Sequence, residues 1–218
     1  MDEANPSDLA AAIAARLCGA HEHICVALIR QLAAGQPVSS AHLAATLAME
    51  EMAVGAVLRQ MSDVDYDVGG NVVGFGLSLV PTAHQFTSNG HILYTWCALD
   101  TFLYTALLDQ PAQVISHCPI TARLITLAMT PTGISELSPA SSVISVVIPD
   151  GSVADCRRSA FCNHGHFFAT AEAGGQWLHD HPHGILLRVA DAHRLGRLLA
   201  DQRMLLARHK VTEYGGHP

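Results

Sequence analysis

The sequence predicts an α+β fold, in which an N-terminal helical, winged-helix-like module precedes a mixed module of short antiparallel sheets with flanking helices. Leucine and isoleucine recur at helical spacing through residues 7–34. From residue 76 onward, short β-prone runs are separated by proline, glycine and serine, and helical segments return near the end. We therefore predict two domains, a helical module at 1–80 and an α+β module at 81–218.

The first module is expected to hold a helix-turn-helix. Residues 7–34 are predicted to form one or two helices, and Ser39 or Ser40 to cap a short helix whose partner runs over 50–61. The next segment, 66–75, has a Gly-Gly-Asn turn between β-prone runs, which predicts a hairpin. Two such helices followed by a hairpin are typical of a winged helix, a shape that often binds DNA.

The charge of this module argues against nucleic acid as a partner. The would-be recognition helix carries Glu50 and Glu51 but only Arg59, and the chain has a formal net charge of −7. Surfaces that bind nucleic acid concentrate lysine and arginine, because these side chains displace counterions from phosphates. We therefore expect the winged-helix-like module to have a structural role.

The second module is expected to alternate strands and turns before two late helices. A hairpin is predicted from 84–87 and 91–96 around a Ser-Asn-Gly turn, and a helix is predicted at 98–108. The remaining predicted strands are 75–80, 112–118, 122–129, 142–148 and 161–169, and the remaining predicted helices are 153–158, 171–179 and 189–209.

The composition predicts a cytoplasmic protein with a substantial core. Half of the residues are apolar and only 14% are charged. No apolar run reaches the roughly 18–20 residues that cross a bilayer, and the acidic start does not fit a secretory leader, so we expect no membrane partner. The six cysteines include no C-x-x-C pair, and we expect them to be thiols rather than disulfides.

Cys97 and Asp100 form the most informative pair in the chain. Cys97 falls where a predicted strand meets a predicted helix, and Asp100 lies three positions later on the same helix face. A helix N-terminus favours the thiolate form and lowers the pKa of a cysteine. A soft nucleophile beside a proton donor suits the binding of a soft metal and the delivery of a proton. The alternative is a buried cysteine next to a helix-capping aspartate.

Cys162 is a second cysteine at the boundary of an element, 65 positions from Cys97. If the two cysteines meet, their thiolates can hold one soft ion, such as mercury, copper(I) or zinc, with Asp100 beside it. On a strand, Cys162 would share a face with His164 and His166, which leaves a zinc site and a zinc hydrolase open. The plainer alternative is one more buried cysteine.

The remaining candidates have structural interpretations. We expect Cys18 and Cys25 to fill the helical core, and Cys118 to be structural at a strand end. Cys156 lies in a polar helical segment and is expected to be exposed. The histidine-rich segment 179–183 is expected to be a solvated loop. No nucleotide-binding signature is present, because the paired glycines lie in the predicted hairpin.

The chain resembles the organomercurial lyases (alkylmercury lyases) of bacterial mercury-resistance systems. The matching segments are Leu93-Tyr94-Thr95-Trp96-Cys97-Ala98-Leu99-Asp100-Thr101, Ser116-His117-Cys118, Phe161-Cys162-Asn163-His164-Gly165-His166-Phe167-Phe168-Ala169, the hairpin at 66–77 and Gly35-Gln36-Pro37-Val38-Ser39. The Trp-Cys-Ala-Leu-Asp pattern together with Phe-Cys-x-His is the specific part of this resemblance.

The resemblance implies which residues act. In that family two cysteines and an aspartate carry the chemistry, and they correspond to Cys97, Cys162 and Asp100, which would also bind the mercury of substrate and product. The implied reaction is protonolysis of the carbon–mercury bond of organomercury compounds, giving a hydrocarbon and Hg(II). Cys118 corresponds to a structural cysteine, and Asn163 stands where some members carry an extra cysteine.

The resemblance also implies how the reaction is served. It needs no cofactor, and cytosolic thiols and the cysteines of a mercuric reductase would accept the Hg(II). We expect a monomer or a homodimer. A mercury-binding or sensing protein without lyase activity stays open as the alternative, because the winged-helix-like start fits a sensor.

Overall fold

The computed structural model describes residues 5–17, 19–61, 63–148, 151 and 157–214. Its helices are α1 Pro6–Leu17, α2 Glu22–Leu32, α3 Ser40–Leu47, α4 Glu51–Gln60, α5 Ala98–Leu108, α6 Arg157–Ala160, α7 Ala171–Asp180 and α8 Val189–Tyr214, with a 3-10 helix at Cys162–His164. In this part of the chain no single helix is both long and apolar enough to cross a membrane, although the bent pairs α1–α2 and α3–α4 meet that test when each is taken together.

The strands form two antiparallel sheets in the described residues. Their bounds are β1 Asp65–Tyr66, β2 Val72–Phe75, β3 Leu77–Ser78, β4 His84–Ser88, β5 His91–Thr95, β6 Ala112–His117, β7 Leu124–Thr130, β8 Gly133–Ser138, β9 Val143–Val147, β10 Phe167–Phe168 and β11 Gly184–Arg188. The larger sheet has the order β1-β2-β3-β5-β4-β6-β7-β8, and the smaller has the order β10-β9-β11. The predicted α+β class is confirmed.

The predicted helix-turn-helix and its hairpin are also present. Ser39 caps α3 by accepting a hydrogen bond from the backbone N–H of His42 at 3.1 Å. The hairpin β1–β2 is closed by the Asp67 carboxylate, which accepts the backbone N–H groups of Gly69 at 2.8 Å and Asn71 at 2.9 Å. Both features are local in sequence, which is why the residue pattern predicts them.

The larger sheet crosses the predicted domain boundary at residue 80. β2 pairs with β3, and β3 pairs in turn with β5, the strand that leads into Cys97. The hairpin of the first module is therefore an edge of the sheet that supports the second. The division into 1–80 and 81–218 stays a prediction, and backbone hydrogen bonds join its two parts.

Helix α5, which begins directly after Cys97, is buried along most of its length. Its sequence is mostly apolar, as expected of a helix that is covered by other elements. α8 packs closely on α5 at Gly196, where a Cβ atom would lie 2.6 Å from the Cβ of Phe102. Only glycine permits this approach, which fixes the helix that carries Asp100.

Two strands were not predicted. β8 is an edge strand in which no residue is buried, so it lacks the alternation of buried apolar residues that marks a half-buried strand. β11 follows the histidine-rich segment and pairs with β9 as the edge of the smaller sheet. Both strands form because they pair with a neighbouring strand, and their own residue patterns do not predict them.

The strand predicted at 161–169 is wrong over its first half. Residues Cys162–His164 form a 3-10 helix, in which the backbone N–H of His164 donates to the carbonyl of Phe161 at 3.1 Å, and the strand β10 covers only Phe167–Phe168. Of the helix predicted at 153–158, residues 153–156 lie outside the described part.

Candidate active site

Cys97 occupies the N-cap of α5, with φ −140° and ψ 166°. The backbone N–H of Cys97 donates to Oδ2 of Asp100 at 3.2 Å, and the backbone N–H of Asp100 points back to the Cys97 sulfur. This reciprocal arrangement is a capping box, in which two backbone donors at the start of a helix find partners. It fixes the directions of both side chains, because each side chain accepts a hydrogen bond from the backbone N–H of the other residue.

Cys162 lies beside Cys97 and Asp100, although it is 65 positions from Cys97 in the sequence. It begins the 3-10 helix, and the backbone N–H of Gly165 closes the turn by donating to the Cys162 carbonyl at 3.0 Å. Because the segment is a tight turn and not a strand, the premise that placed Cys162 on one strand face with His164 and His166 is wrong.

The structure brings Cys97, Asp100 and Cys162 together. One ligand atom from each, the two sulfurs and a carboxylate oxygen, lies within 4.8 Å of the other two. All three residues are buried. Two soft sulfurs beside one carboxyl group are a donor set for a soft metal ion such as Hg(II), with the acid placed to exchange a proton.

Burial decides the protonation of the two thiols. Desolvation raises the pKa of Cys97 well above its ordinary value, and the hydrogen bond with Cys162 raises it further. That hydrogen bond lowers the pKa of Cys162, but desolvation and the charge of Asp100 outweigh it, so this pKa is also raised. The expectation that the helix N-terminus lowers the pKa of Cys97 is wrong, since loss of water opposes the thiolate more strongly than the dipole favours it.

The carboxyl group of Asp100 is held near neutrality. Desolvation raises its pKa to about 6, while the hydrogen bond with Cys97 and the charge of Arg203 lower it in part. Arg203 lies on α8 and forms an ion pair at 2.8 Å with the buried Glu22. A carboxyl group with a pKa near 6 can both accept and donate a proton at neutral pH.

An apolar cavity of about 50 Å³ adjoins two of the three residues. Asp100 and Cys162 stand in its wall, together with Leu103, Tyr104 and Trp96. Leu103 and Tyr104 were not among the predicted site residues, although their spacing from Asp100 by three and four positions puts them on the same helix face. The cavity can take a small apolar group next to the acid and one sulfur.

His164 and His166 do not complete a zinc site with Cys162. Among the described residues, Cys97, Asp100 and Cys162 are the group of three or more whose ligand atoms converge, and neither His164 nor His166 joins them. The segment predicted as a solvated loop is partly packed, because the His181 ring stacks on Trp177 with centroids 3.9 Å apart.

Cys25 and Cys118, the other cysteines in the described residues, do not join this group. Cys25 and Cys118 are buried as predicted, with 1% exposure each, and both are free thiols. Cys18 and Cys156 lie outside the described residues.

Comparison with protein families gives two matches that together span most of the chain. The family described as alkylmercury lyase matches residues 77–201, and the family described as the helix-turn-helix domain of alkylmercury lyase matches residues 7–76. Among solved structures, the crystal structure of the mercury-bound form of MerB2 has a TM-score of 0.72 and covers 91% of this chain and 98% of its own, at 23% sequence identity. That likeness shows the fold.

The curated relatives are closer in sequence. The alkylmercury lyase of Streptomyces lividans is 41% identical over 80% of both chains, and that of Pseudomonas putida is 42% identical over 81% of this chain and 82% of its own. The alkylmercury lyase of Bacillus cereus is 41% identical over a similar length. With both its helix-turn-helix and its larger module matched, the chain belongs to the alkylmercury lyase family.

Proposed function

We propose that this protein is an organomercurial lyase, which cleaves the carbon–mercury bond of organomercury compounds by protonolysis and releases a hydrocarbon and Hg(II). The observation that carries the proposal is the buried meeting of two thiols and one carboxyl group within 4.8 Å, in a chain of the alkylmercury lyase family. Cys97 and Cys162 are assigned as mercury ligands, and Asp100 as the proton donor.

The first step is transfer of the substrate to the protein. An alkylmercury thiolate, R–Hg–SR′, exchanges its thiolate for Cys97 and Cys162, since a coordinated thiol gives up its proton even when its free pKa is high. One thiol proton leaves on the carrier as R′SH, and the other moves to the ionised Asp100. The product is R–Hg held by two sulfurs with a neutral carboxyl group beside it.

The second step breaks the carbon–mercury bond. Two thiolates push electron density through mercury toward carbon, and Asp100 delivers its proton to that carbon, so the bonding pair leaves mercury and forms the new C–H bond. The hydrocarbon RH departs, Hg(II) stays on the two sulfurs, and Asp100 is again ionised. Atoms, charge and electrons balance without an oxidant or reductant, so we infer that no cofactor takes part.

The apolar cavity supports this assignment. Leu99, Leu103 and Phe161 line it beside Asp100, so a bound organic group would sit against apolar side chains and displace water from beside the acid. Exclusion of water keeps the proton on Asp100 for the carbon rather than for solvent.

Release of Hg(II) requires thiol exchange, because two buried thiolates hold a soft ion tightly. We infer that cytosolic thiols or the cysteines of a mercuric reductase take the ion, that the protein works in the cytoplasm, and that it does so as a monomer or homodimer without nucleic acid.

The experiment that tests this proposal measures catalytic turnover. Purified protein is given methylmercury with excess thiol, and methane is measured by gas chromatography against a protein-free control. Continuous methane release beyond one equivalent supports the proposal. Tight binding of Hg(II) with no methane would instead identify a mercury-binding or sensing protein.

A further inference from the structure

The turn that carries Cys162 packs against Cys97 at Gly165, where there is no room for a side chain. A Cβ atom on Gly165 would lie 2.7 Å from the Cβ of Cys97 and 3.4 Å from its sulfur. The carbonyl of Gly165 accepts the backbone N–H of Ala98 at 2.9 Å. The separation of the two sulfurs therefore depends on how firmly this turn is held.

A buried histidine holds the same carbonyl from the larger sheet. Nε2 of His84, at the start of β4, lies 3.2 Å from the Gly165 oxygen, and its Nδ1 lies 2.8 Å from Oγ of Ser116, its cross-strand neighbour. A carbonyl can only accept, so Nε2 carries the hydrogen and the Ser116 hydroxyl donates to Nδ1. Burial lowers the pKa of His84 to about 4, which keeps this neutral form at physiological pH.

A buried serine holds the adjacent residues from the smaller sheet. Oγ of Ser145, on β9, donates to the carbonyl of His164 at 2.6 Å and accepts the backbone N–H of His166 at 3.0 Å. Ser145 has 0% exposure and His84 has 2%. Buried hydrogen bonds of this kind have no competing water, so they restrict the turn strongly.

We propose that His84 and Ser145 are positioning residues, which clamp the turn 162–166 between the two sheets and set the distance between the sulfurs of Cys97 and Cys162. Neither residue lines the cavity or reaches the converging ligand atoms. They act through the backbone of the turn, much as groups behind metal ligands hold those ligands in place. The proposal rests on the proposed function, since the distance matters for holding mercury.

The clamp is tested by replacing His84 with alanine and with glutamine. Glutamine places an amide N–H near the position of Nε2, so it can still donate to the Gly165 carbonyl. Each protein is loaded with Hg(II) and titrated with dithiothreitol, and the thiol concentration that releases half of the ion is recorded. Methane turnover and thermal unfolding are measured separately.

His84→Ala is expected to release Hg(II) at about tenfold lower thiol concentration and to lower kcat by about tenfold, and His84→Gln to restore both to within about threefold of the original protein. The matched control is His193→Ala. His193 is another buried histidine, whose Nε2 contacts a backbone carbonyl, that of Thr130, at 2.9 Å away from the turn. Its loss is expected to lower stability and leave Hg(II) release unchanged.

Ser145→Ala repeats the test independently of His84, with Ser142→Ala as its control. Ser142 is also buried and also donates to a backbone carbonyl, that of Pro139, at 2.7 Å. The proposal is overturned if His84→Ala and Ser145→Ala release Hg(II) at the original thiol concentration, or if the two controls weaken retention equally. The thiol titration needs no cleavage, so it judges the clamp even if methane is never produced.

Discussion

The backbone N–H of Cys97 donates to the carboxylate of Asp100 across 3.2 Å, so the group assigned as the acid also caps the helix that positions the first sulfur. An acceptor at this place satisfies a donor at the N-terminus of α5. The same carboxyl group is 6% exposed and has a pKa of about 6. Capping and the proposed proton transfer are therefore two uses of one side chain, and substitutions can separate them.

Asp100→Asn is expected to keep the cap and lose the acid. The amide oxygen can still accept the Cys97 N–H, but an amide has no proton to give to carbon at neutral pH. Hg(II) retention against dithiothreitol should stay close to the original, while methane turnover falls by about 10²–10⁴-fold. Asp100→Ala should show the same loss of turnover and be about 1 kcal/mol less stable than Asp100→Asn, because alanine cannot cap the helix. Unchanged turnover in either variant would remove Asp100 from the chemistry.

Cys97→Ser is expected to abolish cleavage, because a hydroxyl binds mercury far more weakly than a thiolate. Methane turnover should fall by at least about a hundredfold, and one sulfur alone should retain Hg(II) poorly. The matched control is Cys25→Ala, since Cys25 is also a buried free thiol but lies in α2. That variant should unfold at a lower temperature yet turn over within about twofold per folded molecule. Appreciable methane release by Cys97→Ser would contradict the assigned ligand.

Local sequence patterns predicted the parts of the site but not its assembly. The capping relation of Cys97 and Asp100 and the α+β architecture follow from short-range spacing and from resemblance. The turn at Cys162 does not follow from local spacing. It forms because Gly165 packs against Cys97 and because His84 donates a hydrogen bond to the Gly165 carbonyl. The raised pKa of Cys97 has the same origin, since burial is a property of the whole fold.

The stability of the mercury-free protein should depend on pH because of Asp100. Its folded pKa, about 6, lies above the ordinary 3.8, so the folded state binds more protons than the unfolded state between these values. Asp100 therefore contributes up to about 3 kcal/mol to the free energy of unfolding below about pH 4, and this contribution is lost as the pH rises through about 6. Urea unfolding of the original protein and Asp100→Asn from pH 4 to 7.5 isolates the effect. A difference between the two that does not change across this range would contradict the raised pKa.

Gly165→Ala should open the pair of sulfurs without removing any hydrogen bond. Its Cβ would fall 2.7 Å from the Cβ of Cys97, so the turn must move outward, while the Gly165 carbonyl and N–H remain available to their partners. Overpacking of this kind costs about 1–3 kcal/mol of stability. Because the turn carries Cys162, we expect Hg(II) to be released at about tenfold lower dithiothreitol concentration. The control is Gly175→Ala in α7, where nothing lies within 4 Å of the added atom and alanine favours the helix. That protein should be slightly more stable and hold Hg(II) as before. If Gly165→Ala also retains the ion at the original thiol concentration, close approach of the turn is not what sets the distance between Cys97 and Cys162.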